Sequence, residues 1–302
     1  MLNYYKQLLQ SSNDSFLNEY LNDSLLLRLK DIGYFCGMDY ASKDIYDFNG
    51  YISRYDHSLN VALLIYKLTQ NKKMAIAGLY HDISTPCFSH VIDYMNKDYL
   101  KQESTEEYTK HILENDYYLQ KILNKNNIVL KDIIDFKKYS IVDNERPQVC
   151  ADRVDGVILN SIGWTKLITE EDIFNIVNDI TIYQNEYGQN EIGFQHVDIA
   201  ERFTYLNDEI NIKMHSKEDN YMMELLANIT QIAIRNGYIS YEELFSANEK
   251  EIFNRLDNLD DNIIKNLLTI FKNIKKDDIS DNYHIDVKNR NINPLVKGRR
   301  LN

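Results

Sequence analysis

Glycine and proline are scarce in this chain, at ten and three in 302 residues. These residues punctuate turns and break helices, so their rarity excludes a fold of many short strands and favours long helices. With 44% hydrophobic content the chain can bury one large core or two closely packed ones.

Apolar spacing places the helices. Leu21, Leu25, Leu29 and Ile32 recur at helical intervals, so residues 1–37 read as two helices. RYDHSLNVALLIYKLT carries a stripe of Val61, Leu64, Ile65 and Leu68. KKMAIAGLYHD turns Ala75, Ile76 and Leu79 inward and ends on His81 and Asp82. Ser104 and Glu107 stand in capping-box spacing at the start of a further helix. Val149, Val154, Val157 and Ile158 mark the buried face of another. Beyond residue 170, EEDIFNIVNDI, NYMMELLANITQIAIRNG and EKEIFNRLDNLDDNIIKNLLTIF are amphipathic. Asn49-Gly50, between Tyr46, Phe48 and Tyr51, Ile52, has the chemistry of a type I′ hairpin turn. The basic segment YHIDVKNRNINPLVKGRR reads as a short strand or an ordered tail. The expected architecture is all-α, a helical bundle with at most a small β-hairpin.

The formal net charge is −12, from 46 acidic and 34 basic residues. Such a balance disfavours a broad nucleic-acid or anionic-membrane surface, though a local basic pocket can still hold a small anion. No apolar run reaches the roughly 18 residues that span a bilayer, and MLNYYKQLLQ is too polar for a secretory signal. Cys36, Cys87 and Cys150 show no pairing pattern, which fits free thiols in a reducing, cytoplasmic setting.

Three separate expected helices each offer metal-type ligands: His57 on the first, His81 and Asp82 on the second, Asp152 on a later one. Imidazole and carboxylate together suit one divalent ion, among Mn, Fe, Ni, Zn, Co or Mg. Adjacent helical residues point about 100° apart, so both can reach one ion only near a helix end or in a packed cleft, and His81 and Asp82 stand at such an end.

SRYDHSLNV, then AGLYHDISTPCFSHVID, then ADRVDG resembles the HD superfamily of metal-dependent phosphohydrolases. The nearest branch is the deoxynucleoside triphosphate triphosphohydrolases, the dGTPase-like enzymes, and the likeness covers roughly residues 20–250. It implies an HD-domain helical bundle with additional C-terminal helices. Residues 1–170 would form the metal-binding core and 171–302 a helical part that completes the pocket. The family's four metal ligands fall on His57, His81, Asp82 and Asp152. His90 and Asp93 of the FSHxxD element are kept, as is His215. Arg54 and Arg153 match basic residues and would contact phosphate.

Several positions depart from the family pattern. Thr85 stands where the family has a histidine three residues after the HD pair, and Gln102 precedes Glu103 where it has a second catalytic histidine. Neither threonine nor a neutral amide shuttles protons well near neutral pH, which leaves His90 and Glu103 as candidates to protonate the leaving oxygen. Gly156 replaces the tyrosine that packs on the deoxyribose, Leu159-Asn160 replaces an RD pair, and Lys213 replaces a pocket tyrosine. The expected activity is metal-dependent hydrolysis of a small phosphorylated substrate, a nucleotide first and another phosphoester second. Two alternatives stand beside it. One is a nucleotide-binding regulator with little turnover. The other is a two-metal HD oxygenase or phosphodiesterase, since the order His57, His81-Asp82, His90, His111, Asp152 resembles an H…HD…H…H…D pattern. Homo-oligomerisation is left open.

Overall fold

The chain is described by a computed structural model covering residues 1–101 and 108–301. Its helices are α1 (Leu2–Leu9), α2 (Ser24–Arg28), α3 (Arg54–Thr69), α4 (Lys72–Tyr80), α5 (Val91–Met95), α6 (Thr109–Glu114) and α7 (Tyr117–Lys125). They continue with α8 (Leu130–Ile134), α9 (Ala151–Asn160), α10 (Glu170–Asp179), α11 (Val197–Met214), α12 (Lys217–Arg235), α13 (Glu249–Asp257) and α14 (Asn262–Asn273).

The centre of the fold is α3. Ser53 and Asp56 form a reciprocal capping box at its start, which contributes about 1 kcal/mol by satisfying two orphan N–H groups. Most of its circumference is then buried, from Val61 to Tyr66, because α4 and α9 pack against it on different sides. Gly78 lets α4 approach closely: a Cβ there would lie 2.3 Å from Ile65 Cδ1. That contact sets the depth at which the end of α4 presents its side chains.

A small sheet lies beside this bundle. Strand β1 (Ile180–Gln184) and β2 (Asn190–Phe194) form an antiparallel hairpin, with Ile180 opposite Phe194. The two-residue strands β3 (Leu295–Val296) and β4 (Arg299–Arg300) extend it in the order β1-β2-β3-β4, β3 running parallel to β2. Glu191, fully buried on β2, accepts from the Val149 N–H at 3.1 Å and pairs with Arg300 at 2.6 Å. The sheet thereby ties the loop before α9 to the C-terminal segment.

Two local expectations change. The Asn49-Gly50 hairpin does not form; only an isolated bridge between Gly33 and Ser53 occurs near it. Tyr46 and Phe48 stack on one another at 5.3 Å and both approach Trp164, and this shared aromatic cluster outweighs strand pairing. The segment 1–37 holds α1, the five-residue α2 and short 3-10 turns instead of two full helices. The amphipathic segment from Glu249 forms α13 and α14, and Asp261 caps the second, accepting from the N–H groups of Ile263 and Ile264. Ser104 and Glu107, expected to open a helix, lie outside the described residues. All three cysteines are unpaired, and among the described residues no helix is long and apolar enough to cross a membrane.

Candidate metal centre

Four side chains from three helices converge where α3, the end of α4 and the start of α9 meet. His57 Nε2 lies 3.0 Å from Asp152 Oδ1 and 3.7 Å from Asp82 Oδ2. His81 Nε2 lies 3.5 Å from Asp152 Oδ1 and 3.7 Å from Asp82 Oδ1. Ligand atoms at about 2.0–2.2 Å from one ion stand roughly 3 Å or a little more from each other, so the separations among His57, His81 and Asp152 suit a shared cation, while Asp82 faces His57 with one oxygen and His81 with the other.

The far nitrogens fix the orientation of both rings. His57 Nδ1 lies 2.7 Å from Asp155 Oδ2, and His81 Nδ1 lies 2.7 Å from the Gly78 carbonyl. Each acceptor holds the proton on Nδ1 and turns a lone pair on Nε2 toward the cluster, the tautomer a metal-binding histidine needs. His81 Nε2 is buried and has no hydrogen-bond partner. An orphaned acceptor beside two carboxylates is satisfied by a cation, so the residues fit a divalent ion. Without one, protons take its place. Burial opposes a charge on His57, but hydrogen bonds to Asp152 and Asp155 overcome it and push the imidazole up to about 10. On Asp152 burial also opposes charge, and the two histidines nevertheless hold it well below the usual carboxylate range.

A cavity of about 410 Å³ opens over this cluster, lined by His81, Asp82, Asp152 and a concentration of cations. Arg54 ion-pairs with Asp82 at 2.9 Å and lies over the Tyr34 ring, 4.9 Å from its centroid. Its Nε donates to Ser89 Oγ at 3.2 Å. To reach it the chain turns through left-handed φ at Phe88 (67°) and Ser89 (46°), conformations costing about 1–3 kcal/mol each. The same turn delivers His90 to the cavity wall. Fully buried Asp93 accepts from His90 Nδ1 at 2.8 Å, and burial lowers the imidazole, favouring its neutral form.

The remaining expected residues divide. Asn160 lines the cavity and donates to the Gly156 carbonyl at 2.8 Å. Arg153 also reaches the wall, but it spends donors on the Gln148 carbonyl at 2.7 Å and on Asn144, clamping the loop before α9. Lys213 and His215 do not line the cavity, contrary to the expectation from sequence. With 3.6 residues per turn, α11 presents Asn207, Ile210, Asn211 and Met214 instead. Lys213 is exposed to solvent, and the His215 ring bonds the Asn211 carbonyl at 2.7 Å. Glu103 lies outside the described residues. His111, part of the two-metal pattern, is exposed on α6, where its carbonyl accepts from Asn115.

Sequence reasoning missed Asp155, Arg146, Lys288 and Arg290. Asp155 follows Asp152 by three residues, an acid on the buried face of an apolar helix, and that placement was a legible signal. Arg290 comes from the basic segment read only as a strand or tail. Its backbone N–H bonds Asn211 Oδ1 at 3.1 Å, and its carbonyl accepts from Asn207 at 3.1 Å and from Arg146. Arg146, Lys288 and Arg290 all line the cavity. Burial and the neighbouring Arg290 and Arg153 push Arg146 down to about 9.

Residues 54–155, which carry the four converging side chains, match the family model described as HD domain, and this match together with a phosphohydrolase relative supports a hydrolase of the HD type. The chain is 26% identical over 291 residues to the uncharacterised protein YdhJ of Bacillus subtilis, covering 94% of this chain and 84% of that one. It is also 29% identical over 121 residues to the metal-dependent phosphohydrolase cns2 of Cordyceps militaris. That second match spans 40% of this chain and 34% of the fungal protein.

Proposed function

We propose that this chain is a divalent-metal phosphohydrolase acting on a nucleotide, in the manner of the dGTPase-like branch its motifs resemble. The observation that carries the reading is the pair of imidazoles anchored through Nδ1, with both Nε2 atoms facing Asp82 and Asp152 beside an arginine-rich cavity.

His57, His81, Asp82 and Asp152 would hold the ion, which supplies Lewis acidity toward a bound water and a phosphoryl oxygen. Arg54, Arg146 and Arg290 neutralise charge as it builds on the phosphoryl oxygens. Arg54 is fixed for this by Asp82, Tyr34 and Ser89, so little reorganisation is needed at the moment of reaction. His90, aligned by Asp93, accepts a proton in its neutral form and returns it to the leaving oxygen. Glu103 is the second candidate for that proton transfer. Arg153 acts indirectly by holding the loop that carries Arg146.

The test is a screen of the purified chain with Mn, Mg and Co against nucleoside mono- and triphosphates, identifying products by mass. Inorganic tripolyphosphate from a deoxynucleoside triphosphate supports the dGTPase-like reading; inorganic phosphate from a monophosphate supports the phosphomonoesterase form of it. Tight nucleotide binding with no product would make the chain a nucleotide-binding regulator instead.

A further inference from the structure

Asp39 and Glu249 stand apart from the cavity over His81, Asp82 and Asp152, and neither lines it. Asp39 sits in the 3-10 turn Met38–Tyr40, and Glu249 opens α13. Phe253 of α13 joins these elements: Tyr40 stacks on it at 4.1 Å, and Phe88 meets it edge-on at 4.9 Å. The cations nearest the two acids are turned elsewhere. Lys43 donates to the Asp39 backbone carbonyl at 3.0 Å, Arg28 to the Thr85 carbonyl at 2.6 Å, and Arg54 pairs with Asp82.

One oxygen of each acid is left over. Glu249 is fully buried; its Oε1 accepts from the Phe88 N–H at 3.2 Å, and its Oε2 has no partner. Asp39 Oδ2 is likewise buried and without a partner. Both oxygens face one gap, since a Cβ at Gly33 would lie 2.8 Å from Asp39 Oδ2 and 3.0 Å from Glu249 Oε2. Glycine at position 33 keeps that gap open. Yet the two oxygens do not bond one another. A single shared proton would need them roughly 2.5–2.7 Å apart. A hard cation, with metal–oxygen distances of about 2.3–2.6 Å, bridges a wider pair.

We propose that Asp39 and Glu249 form a second cation site, for a hard divalent ion such as Ca or Mg, which braces the turn carrying Ser89 and His90. Two carboxylates match the charge of the ion. Oxygen donors also set the site apart from the imidazole-containing cluster, which suits transition metals. Asp39 is only partly buried and gives the ion, with its remaining waters, a way in. With two charged ligands the site exchanges its ion readily, so it fills from added cation and is not carried through purification. Through Glu249 Oε1 the bound ion fixes the Phe88 N–H, and with it the left-handed turn that sets Ser89 against Arg54. Without the ion a proton takes its place, and burial pushes Glu249 up to about 8.

Calcium is the probe, because imidazole ligands attract it poorly. Thermal melting of the full chain, purified with its own metal, is followed near neutral pH as calcium chloride is added, with magnesium chloride in a parallel series. The Tm should rise saturably with either ion, and the calcium response should persist in His81→Ala. Asp39→Asn and Glu249→Gln should each weaken the response roughly tenfold or more in cation concentration, since each removes half of the ligand charge. Gly33→Ala should weaken it with both acids intact, because its Cβ enters the gap. Far-UV circular dichroism checks folding, and if Glu249→Gln fails to fold, Asp39→Asn and Gly33→Ala decide. The site is overturned by no response to either ion, by a calcium response that survives in the folded acid variants, or by one lost in His81→Ala.

Discussion

The buried carboxylate of Asp155 stands 2.7 Å from Nδ1 of His57 and fixes which face of that ring meets Asp82 and Asp152. Carboxylate–histidine pairs of this kind raise ligand basicity and hold the ring in one rotation. Asp155→Asn keeps the size but removes the charge, and its amide can present the wrong group to Nδ1. Metal affinity should fall roughly 10- to 100-fold. Calorimetric titration with Mn or Zn measures it, and an unchanged affinity would reduce Asp155 to a packing residue.

Arg290 reaches the cavity from the C-terminal segment, while Lys213 and His215 stand off its wall. Loss of a charge-assisted hydrogen bond costs about 1.5–3 kcal/mol, or roughly one to two powers of ten in binding. Arg290→Gln should therefore raise the apparent KM for phosphorylated substrates by about that factor. Lys213→Ala and His215→Ala should stay close to wild type. The opposite ranking in steady-state kinetics would show that the sequence expectation was right and the cavity assignment wrong.

Glu249 is fully buried, accepts from the Phe88 N–H at 3.2 Å, and leaves Oε2 without a partner. Burial, aided by the nearby Asp39, pushes its carboxyl up to about 8, far above the ~4.3 of an unfolded glutamate. The folded chain thus binds this proton more tightly than the unfolded one. The stabilisation is complete below pH ~4.3 and is lost as pH rises through about 8. Glu249→Gln keeps the acceptor for Phe88 and cannot ionise. Its Tm should fall less than the wild-type Tm between pH 6 and 8.5, and parallel Tm curves would show that Glu249 is already ionised in the folded chain at pH 6.

The meeting of His57, His81, Asp82 and Asp152 was legible because its chemistry is local. His81 and Asp82 adjoin at a helix end, and His57 and Asp152 each sit in a short motif on a strongly patterned helix. The Asn49-Gly50 turn misled because local turn chemistry lost to a tertiary aromatic cluster with Trp164, 115 residues away (164 − 49). Lys213 misled by a single step of helical phase: Met214 faces the cavity and its neighbour faces water. Arg146 and Arg290 were hidden because their places depend on a chain reversal and a sheet, held by Glu191 and Arg300, which no spacing rule encodes.

On the proposed reading, His57, His81, Asp82 and Asp152 would share one divalent ion on which turnover depends. Elemental analysis of the purified chain, beside His81→Ala and Asp152→Ala, tests it most directly, with far-UV circular dichroism as the check on folding. About one ion per wild-type chain is expected, on a cluster in which the ligand atoms of His57, His81 and Asp152 lie within 4.8 Å of one another and Asp82 stands 3.7 Å from each histidine. Both variants should keep their helical signal, lose the ion and lose phosphoester hydrolysis together. Full metal occupancy in both variants would show that these four residues do not hold the ion.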